Sequence, residues 1–326
     1  MTFTKDVFWG AAVTCFAVSV YKFLNNIGNR VINIIAIICF AMAVCLLRSN
    51  GWFVFLLSTF LLGILYLKKQ KKLIVLLIVI LISGFILKHQ VLNALEVSQP
   101  DTIEALSIPA QQLARVITDG AELNEKQLSI LNKVIDVDRI AENYQPQLSD
   151  PIKNLVRERN NQEYITEHKS DFVILYLEIG LEYPHKYIEA WVDQTKGYWN
   201  SGYPYWRWAT WIQENNLGIK NTIYNRNVQI VIDEYLSVWE NTSLLQIFIS
   251  IGFYVWIILL CLYNSIIKGN KGEILVAGIF LCVIISLLMA TPVYAEFRYA
   301  YAIFCGEPFI IVSSLFGKKH HSENIN

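Results

Sequence analysis

The chain has 326 residues, 54% of them hydrophobic, and a mean hydropathy of +0.39. Ordinary soluble domains are less apolar, so the composition indicates a membrane protein. The formal net charge is zero, and the soluble part lacks the basic patch that nucleic-acid-binding proteins carry, so no nucleic-acid partner is expected.

The zero net charge combines two regions of opposite charge. Residues 88–243, the central polar region, contain 22 acidic and 14 basic residues, a balance of −8. The apolar remainder has 13 basic and 5 acidic residues, a balance of +8. Basic loops between apolar segments are typical of the cytoplasmic side of a membrane protein.

Four apolar segments of 15 to 18 residues open the chain, at residues 7–24, 31–47, 51–67 and 73–87. They are slightly short for a bilayer but within the tolerated range. The loop at residues 68–72 holds four lysines, which predicts a cytoplasmic position for it. A first segment that lies on the membrane without spanning it is the alternative for residues 7–24.

The remaining topology follows by alternation from this loop. The central polar region is expected outside the cytoplasm, and apolar segments at 244–266, 274–290 and 300–316 then cross in turn. Basic loops at 267–272 and 317–321 fall on the predicted inside. Arg48 falls on the predicted outside as an exposed arginine, which is the one exception to the charge rule.

These patterns predict an all-α polytopic protein of the cell membrane, with about seven transmembrane helices and one helical extracytoplasmic domain. The expected divisions are a membrane block at residues 1–87, the extracytoplasmic domain at 88–243, a second membrane block at 244–317 and a cytoplasmic tail at 318–326.

Several short signals predict helices in the central polar region. Ser107 is a candidate helix cap, and Asn124 with Gln127 forms a capping-box pattern. Asp150 followed by proline predicts another helix start. Ser170 is a candidate cap for the apolar run 172–181. The amphipathic run 227–239 is expected to lead into the fifth membrane helix.

An aromatic segment at residues 182–211 stands out within this region. It includes Tyr198, Trp199 and Trp206. Aromatic faces suit sugar rings and lipid headgroups, but tyrosine and tryptophan also form domain cores and interfacial belts. The pattern leaves both alternatives open for these three candidate binding residues.

Charged groups near the ends of membrane helices are the other candidates. Glu296, Arg298 and Tyr299 precede the last helix, where Arg298 could hold a phosphate or pair with Glu296. Lys5 and Asp6 begin the first helix, on the same predicted side; Asp6 could act chemically or begin the helix. Glu307 is an intramembrane carboxylate.

Cofactor and metal motifs are absent from the sequence. It contains no HExxH, CxxC, Walker A or GxSxG pattern, and its five histidines are scattered. All six cysteines lie in apolar segments, which argues against a disulfide framework. No cofactor or metal site is predicted.

The order of Thr-Lys-Asp at a helix start, a long extracytoplasmic domain and Glu-x-Arg-Tyr before the last helix resembles GT-C glycosyltransferases. The central region is similar to a poorly characterised Gram-positive family of multi-pass membrane proteins. Its matching segments are 107–112 (Ser-Ile-Pro-Ala-Gln-Gln), 144–146, 149–153, 187–190 and 197–199.

The resemblance implies use of a polyprenyl-phosphate-linked sugar in cell-envelope polysaccharide or glycoconjugate assembly, with membrane lipid as a partner. Asp6 and Glu296 would be the catalytic candidates. Arg298, Tyr299, Lys5, Tyr198, Trp199 and Trp206 would be the binding candidates. The acidic first loop of GT-C enzymes is missing, as though N-terminal membrane helices were absent. The alternatives are therefore a non-catalytic or truncated component with a partner membrane subunit, or a transporter.

Overall fold

The computed structural model describes residues 5–96, 101–203, 215–218, 226–291 and 293–317. Throughout these ranges the protein is all-α, and its extended backbone is limited to one isolated bridge between Gln145 and Leu148. The all-α polytopic class predicted from the sequence is confirmed. The first four helices are α1 (Lys5–Leu24), α2 (Arg30–Leu47), α3 (Gly51–Tyr66) and α4 (Lys71–Ala94).

The central part of the chain folds into shorter helices. They are α5 (Thr102–Ala105), α6 (Ser107–Thr118), α7 (Glu125–Leu131), α8 (Ile140–Asn143), α9 (Asp150–Arg159), α10 (Gln162–Glu167), α11 (Lys169–Glu182), α12 (Pro184–Thr195), α13 (Arg226–Asn241) and α14 (Ser243–Phe248). The last three helices are α15 (Ile251–Lys268), α16 (Lys271–Met289) and α17 (Tyr301–Phe316), and a 3-10 turn at Phe297–Ala300 leads into α17.

Seven apolar helices pack into one bundle, the membrane block. In the part of the chain that the structure describes, six candidate spans are long and apolar enough to cross a bilayer, and α3 is a shorter apolar helix of 16 residues. Helix α16 is mostly buried at the centre, whereas α4 exposes Val75, Val79 and Ile82. An apolar outer face suits lipid, so the arrangement fits a multi-pass membrane protein.

Two helices of the membrane block have bounds that differ from the predicted apolar segments. Helix α4 continues to Ala94, beyond the expected end at residue 87. The expected span at 244–266 is two helices, because the chain becomes extended at Ser250 and the Ser250 side chain accepts a hydrogen bond from the Phe253 N–H. This side-chain cap starts α15 anew after α14.

Helices α5–α12 share a second hydrophobic core and are called the central domain. The capping box of Asn124 and Gln127 and the helix start at Asp150 are confirmed. The two serine caps are wrong. Ser107 is the first residue of α6, after the cap position at Leu106, and its hydroxyl donates to Ser149 Oγ. Ser170 lies within α11, which begins at Lys169.

The central domain docks directly on the membrane block. Trp191 Nε1 donates to the Leu288 carbonyl at 2.8 Å, and Trp256 Nε1 of α15 donates to the Trp199 carbonyl at 2.9 Å. At Gly252 a Cβ would meet the backbone of Asn200, so glycine allows this close approach. The described part of the aromatic segment therefore joins the two units.

The basic loops gather at one end of the bundle. Lys271 Nζ donates to the Leu65 carbonyl, Lys268 Nζ donates to the Ser314 carbonyl, and Gly272 lies beside Asn25. The structure thus brings together the loops that alternation assigned to one side. Which side of the membrane they occupy stays a prediction.

Candidate functional site

A buried ion pair lies at the opposite end of the membrane block. Asp6, in the first turn of α1, is 4% exposed, and Arg48, just after α2, is 6% exposed. Arg48 Nη1 lies 3.0 Å from Asp6 Oδ1. Burial lowers the pKa of the Arg48 guanidinium, and the nearby Asp6 carboxylate opposes this shift. The pair ties the first two helices together.

Aromatic rings enclose the Arg48 guanidinium. Its Cζ atom lies 4.6 Å from the Tyr299 ring centroid and 5.3 Å from that of Trp9. Arg48 Nη1 also lies 3.5 Å from the Tyr299 carbonyl oxygen. Trp9 is fixed in turn, because its Nε1 donates to the Val44 carbonyl at 3.1 Å. Cation–π contacts of this kind are strengthened when the cation is shielded from water.

The charged groups continue from Tyr299 to the surface. Arg298 Nη2 donates to the Tyr299 hydroxyl at 2.9 Å, and Arg298 Nε lies 2.7 Å from Glu296 Oε2. The Arg298 side chain is 50% exposed and that of Glu296 is 23% exposed. The Glu296–Arg298 pair predicted as one alternative is thus present. Asp6, Arg48, Tyr299, Arg298 and Glu296 form what we call the mouth cluster.

Two lysines lie beside the mouth cluster. Lys88 Nζ donates to the Arg48 carbonyl at 3.0 Å and to the Ser49 carbonyl at 3.4 Å. Lys5 is exposed at the start of α1 and close enough to Lys88 for electrostatic interaction. Among the described residues in and beside the mouth cluster there are four cations and two carboxylates, a balance that suits an anionic ligand.

The aromatic candidates have different positions. Tyr198 is fully buried, donates to the Tyr294 carbonyl at 3.4 Å and interacts electrostatically with Arg48. Trp199 is half-buried, and its Nε1 donates to Thr195 Oγ1 at 3.4 Å. Trp206 lies outside the described residues. The structure gives Tyr198 and Trp199 packing roles where the domain meets the membrane block.

Arg48 and Lys88 are the residues that sequence reasoning missed. Arg48 was expected to be exposed, and this expectation is wrong because its guanidinium is enclosed by Asp6, Trp9 and Tyr299. A usable signal existed in the sequence. A lone arginine on the predicted outside of the membrane needs a counter-charge, and Asp6 was assigned to that same side.

Glu307 has an unusual environment inside α17. It is 4% exposed, and neither carboxylate oxygen has a hydrogen-bond partner among the described residues. It is close enough to Tyr254 and Cys261 of α15 for electrostatic interaction. In the described part of the structure, no hydrogen bond or ion pair joins Glu307 to the mouth cluster. Across the described ranges, no group of three or more His, Cys, Asp or Glu side chains could hold a metal ion.

Comparison with known families now places the chain. The model of a family of unknown function, DUF6020, matches residues 1–325. The chain belongs to the DUF6020 family. No curated protein and no solved structure matches it.

Proposed function

We propose that this DUF6020 protein binds the phosphate of a polyprenyl-linked sugar at the mouth cluster and acts as a glycosyltransferase-like protein of cell-envelope assembly. The observation that carries the proposal is Arg298. Its guanidinium is half exposed at the end of an apolar bundle and is held by Tyr299 and Glu296. A guanidinium binds phosphate oxygens with two parallel hydrogen bonds, and the bundle's apolar surface suits the lipid chain.

Each neighbouring residue has a distinct part in this proposal. Lys5 and Lys88 add positive charge, which draws an anionic headgroup toward Arg298. Tyr299 orients Arg298 through its hydroxyl. Asp6 is a positioning residue rather than a base, because its carboxylate is buried against Arg48. Glu296 is the carboxylate that reaches the surface, so it is the candidate general base.

A non-catalytic role in a membrane complex is the second candidate. The burial of Asp6 favours this role, because it removes one of the two carboxylates that the sequence predicts as catalytic. The other, Glu296, is accessible but is already paired with Arg298. In this alternative the chain holds the lipid phosphate, and a partner membrane subunit supplies the base.

Binding of undecaprenyl phosphate to the protein in lipid nanodiscs tests the phosphate site. We expect Arg298→Ala to weaken binding by about tenfold to a hundredfold, since a hydrogen bond to a charged group contributes about 1.5–3 kcal/mol. Arg139→Ala is the matched control, because Arg139 is an equally exposed arginine paired with Glu158 on the central domain. Equal binding by the unaltered chain and Arg298→Ala would exclude the site.

Sugar transfer distinguishes the two candidates. The purified chain is incubated with polyprenyl-phosphate sugars, and the product is measured for the unaltered protein and Glu296→Gln. A transferase gives product that Glu296→Gln lowers by about a hundredfold or more, the usual range for a general base. Phosphate binding without transfer by the chain alone supports the complex component.

A further inference from the structure

A second candidate site lies in the central domain, away from the mouth cluster. Helices α5, α6, α9 and α11 surround a cavity of about 400 Å³. This size is within the usual range for small-molecule sites, about 300–1,000 Å³. Its wall is almost entirely carbon and includes Leu113, Ile117, Ile135, Val156 and Phe172. An apolar space of this kind does not hold ordered water, since water needs polar partners.

Among the described residues, three side chains with polar atoms line the cavity, and two of them already have hydrogen-bond partners. Thr102 Oγ1 lies 3.2 Å from Thr166 Oγ1, and the Tyr176 hydroxyl donates to Gln112 Oε1. The third is Lys169, which is exposed at the rim and forms no ion pair with any described residue. The cavity therefore combines a carbon interior with one cation at its opening.

The outer face of α11 extends the apolar surface from this opening. Val173 lines the cavity and is 56% exposed, and Leu177 and Leu181 follow at helical spacing with exposures of 55% and 83%. Since α11 also buries Leu175 and Ile179, it is apolar on opposite faces. Such a helix is normally covered on both sides.

We propose that this cavity binds the hydrocarbon chain of an anionic single-chain lipid, with its carboxylate or phosphate at Lys169. The apolar wall binds the hydrocarbon chain of the lipid, because burying apolar surface is favourable and the wall atoms of an empty cavity lack van der Waals partners. The ammonium of Lys169 attracts the anionic headgroup, and part of the lipid's hydrocarbon chain covers the exposed apolar face of α11. This site is separate from the mouth cluster and does not depend on the function proposed for it.

Photocrosslinking of the full-length protein in phosphatidylcholine nanodiscs tests the proposal. The probe is palmitic acid with a terminal diazirine, and crosslinked peptides are identified by mass spectrometry. We expect crosslinks in α6, α9 and α11. Hexadecyl phosphate and unlabelled palmitate should compete, and hexadecanol should compete about tenfold less well because it carries no charge for Lys169. The better anionic competitor indicates whether the natural headgroup is a phosphate or a carboxylate.

Two variants separate a specific site from general lipid contact. Ala110→Phe fills the cavity from α6 and should lower crosslinking by about tenfold, whereas Ala141→Phe, on an exposed part of α8, should leave it unchanged. Arg298→Ala should also leave it unchanged, so this test fails separately from that of the mouth cluster. If Ala110→Phe does not fold, the competition between the anionic lipids and hexadecanol in the unaltered protein decides whether the site is specific. Crosslinks confined to the membrane block, or equal competition by hexadecanol, would overturn the proposal.

Discussion

The Arg48 guanidinium is held away from water by a carboxylate and two aromatic rings, so its energetic role depends on Asp6. Removing one member of a buried pair leaves the other charge uncompensated, which costs about 3–5 kcal/mol, whereas replacing both members with apolar residues is close to neutral. We predict that Arg48→Met lowers the thermal unfolding midpoint sharply and that Asp6→Leu combined with Arg48→Met restores most of it. Circular dichroism in detergent measures both. An Arg48→Met protein as stable as the unaltered chain would contradict the prediction.

Glu307 presents the opposite case, a buried carboxylate without a hydrogen-bond partner. A buried polar group without a partner costs about 1–3 kcal/mol, so Glu307→Leu should raise the stability of the protein by roughly that amount. Glu273 is the matched control. It is also buried, and its Oε2 has no partner among the described residues, but its Oε1 accepts a hydrogen bond from Asn270 Nδ2 at 2.6 Å. Glu273→Leu breaks that bond and should be destabilising. Thermal unfolding of the two variants side by side tests the difference.

At the scale of elements, a charge cluster links α6 to α12. Arg115 pairs with Asp119, Glu189 and Asp193, and Lys186 also pairs with Asp119. The hydrogen bond from Lys186, assisted by Arg115, lowers the pKa of the Asp119 carboxyl below its ordinary value. A carboxylate with a lowered pKa stabilises the fold above its unfolded-state pKa, and this contribution is lost as the pH falls through the folded-state pKa.

The central domain should therefore lose stability as the pH falls below about 4, the ordinary pKa of an aspartate, and Asp119→Asn should reduce this dependence. Asp138→Asn, at an exposed position outside the cluster, is the control. Hydrogen exchange of α6 and α12 across the pH range measures the effect. If Asp119→Asn and Asp138→Asn show the same pH dependence of hydrogen exchange, Asp119 does not cause the loss of stability at acidic pH.

Some elements were predictable because their determinants are local. The capping box at Asn124 depends on residues three positions apart, and the apolar runs of the membrane helices contain their own signal. The two serine caps failed because their side chains meet other partners or lie within a helix. Ser107, for example, bonds Ser149, which is 42 residues away. The capping preference of serine depends on local sequence and cannot predict such a distant partner, since tertiary contacts override weak local preferences.

At the scale of the whole molecule, alternation of the apolar segments predicted which loops share an end. It thereby placed Asp6, Glu296 and Arg298 at the same end of the bundle. It could not predict contacts, because Arg48 and Tyr299 are 251 residues apart and meet only through the packing of α1, α2 and α17. The cavity in the central domain was also beyond sequence reasoning, since a void depends on how side chains from several helices fill space.

Membrane orientation is the remaining whole-molecule prediction. The lysine-rich loop at residues 68–72 and the loops beside it should face the cytoplasm, because positively charged loops are retained on that side. The mouth cluster and central domain then face outward. In intact cells, a membrane-impermeant maleimide should label Glu142→Cys, whereas Lys69→Cys should react only after permeabilisation. Both positions are exposed, and the unaltered chain, whose six cysteines lie in apolar segments, measures the background. The reverse labelling pattern would place the mouth cluster on the cytoplasmic side and would contradict the lipid-phosphate site proposed there for extracytoplasmic glycan assembly.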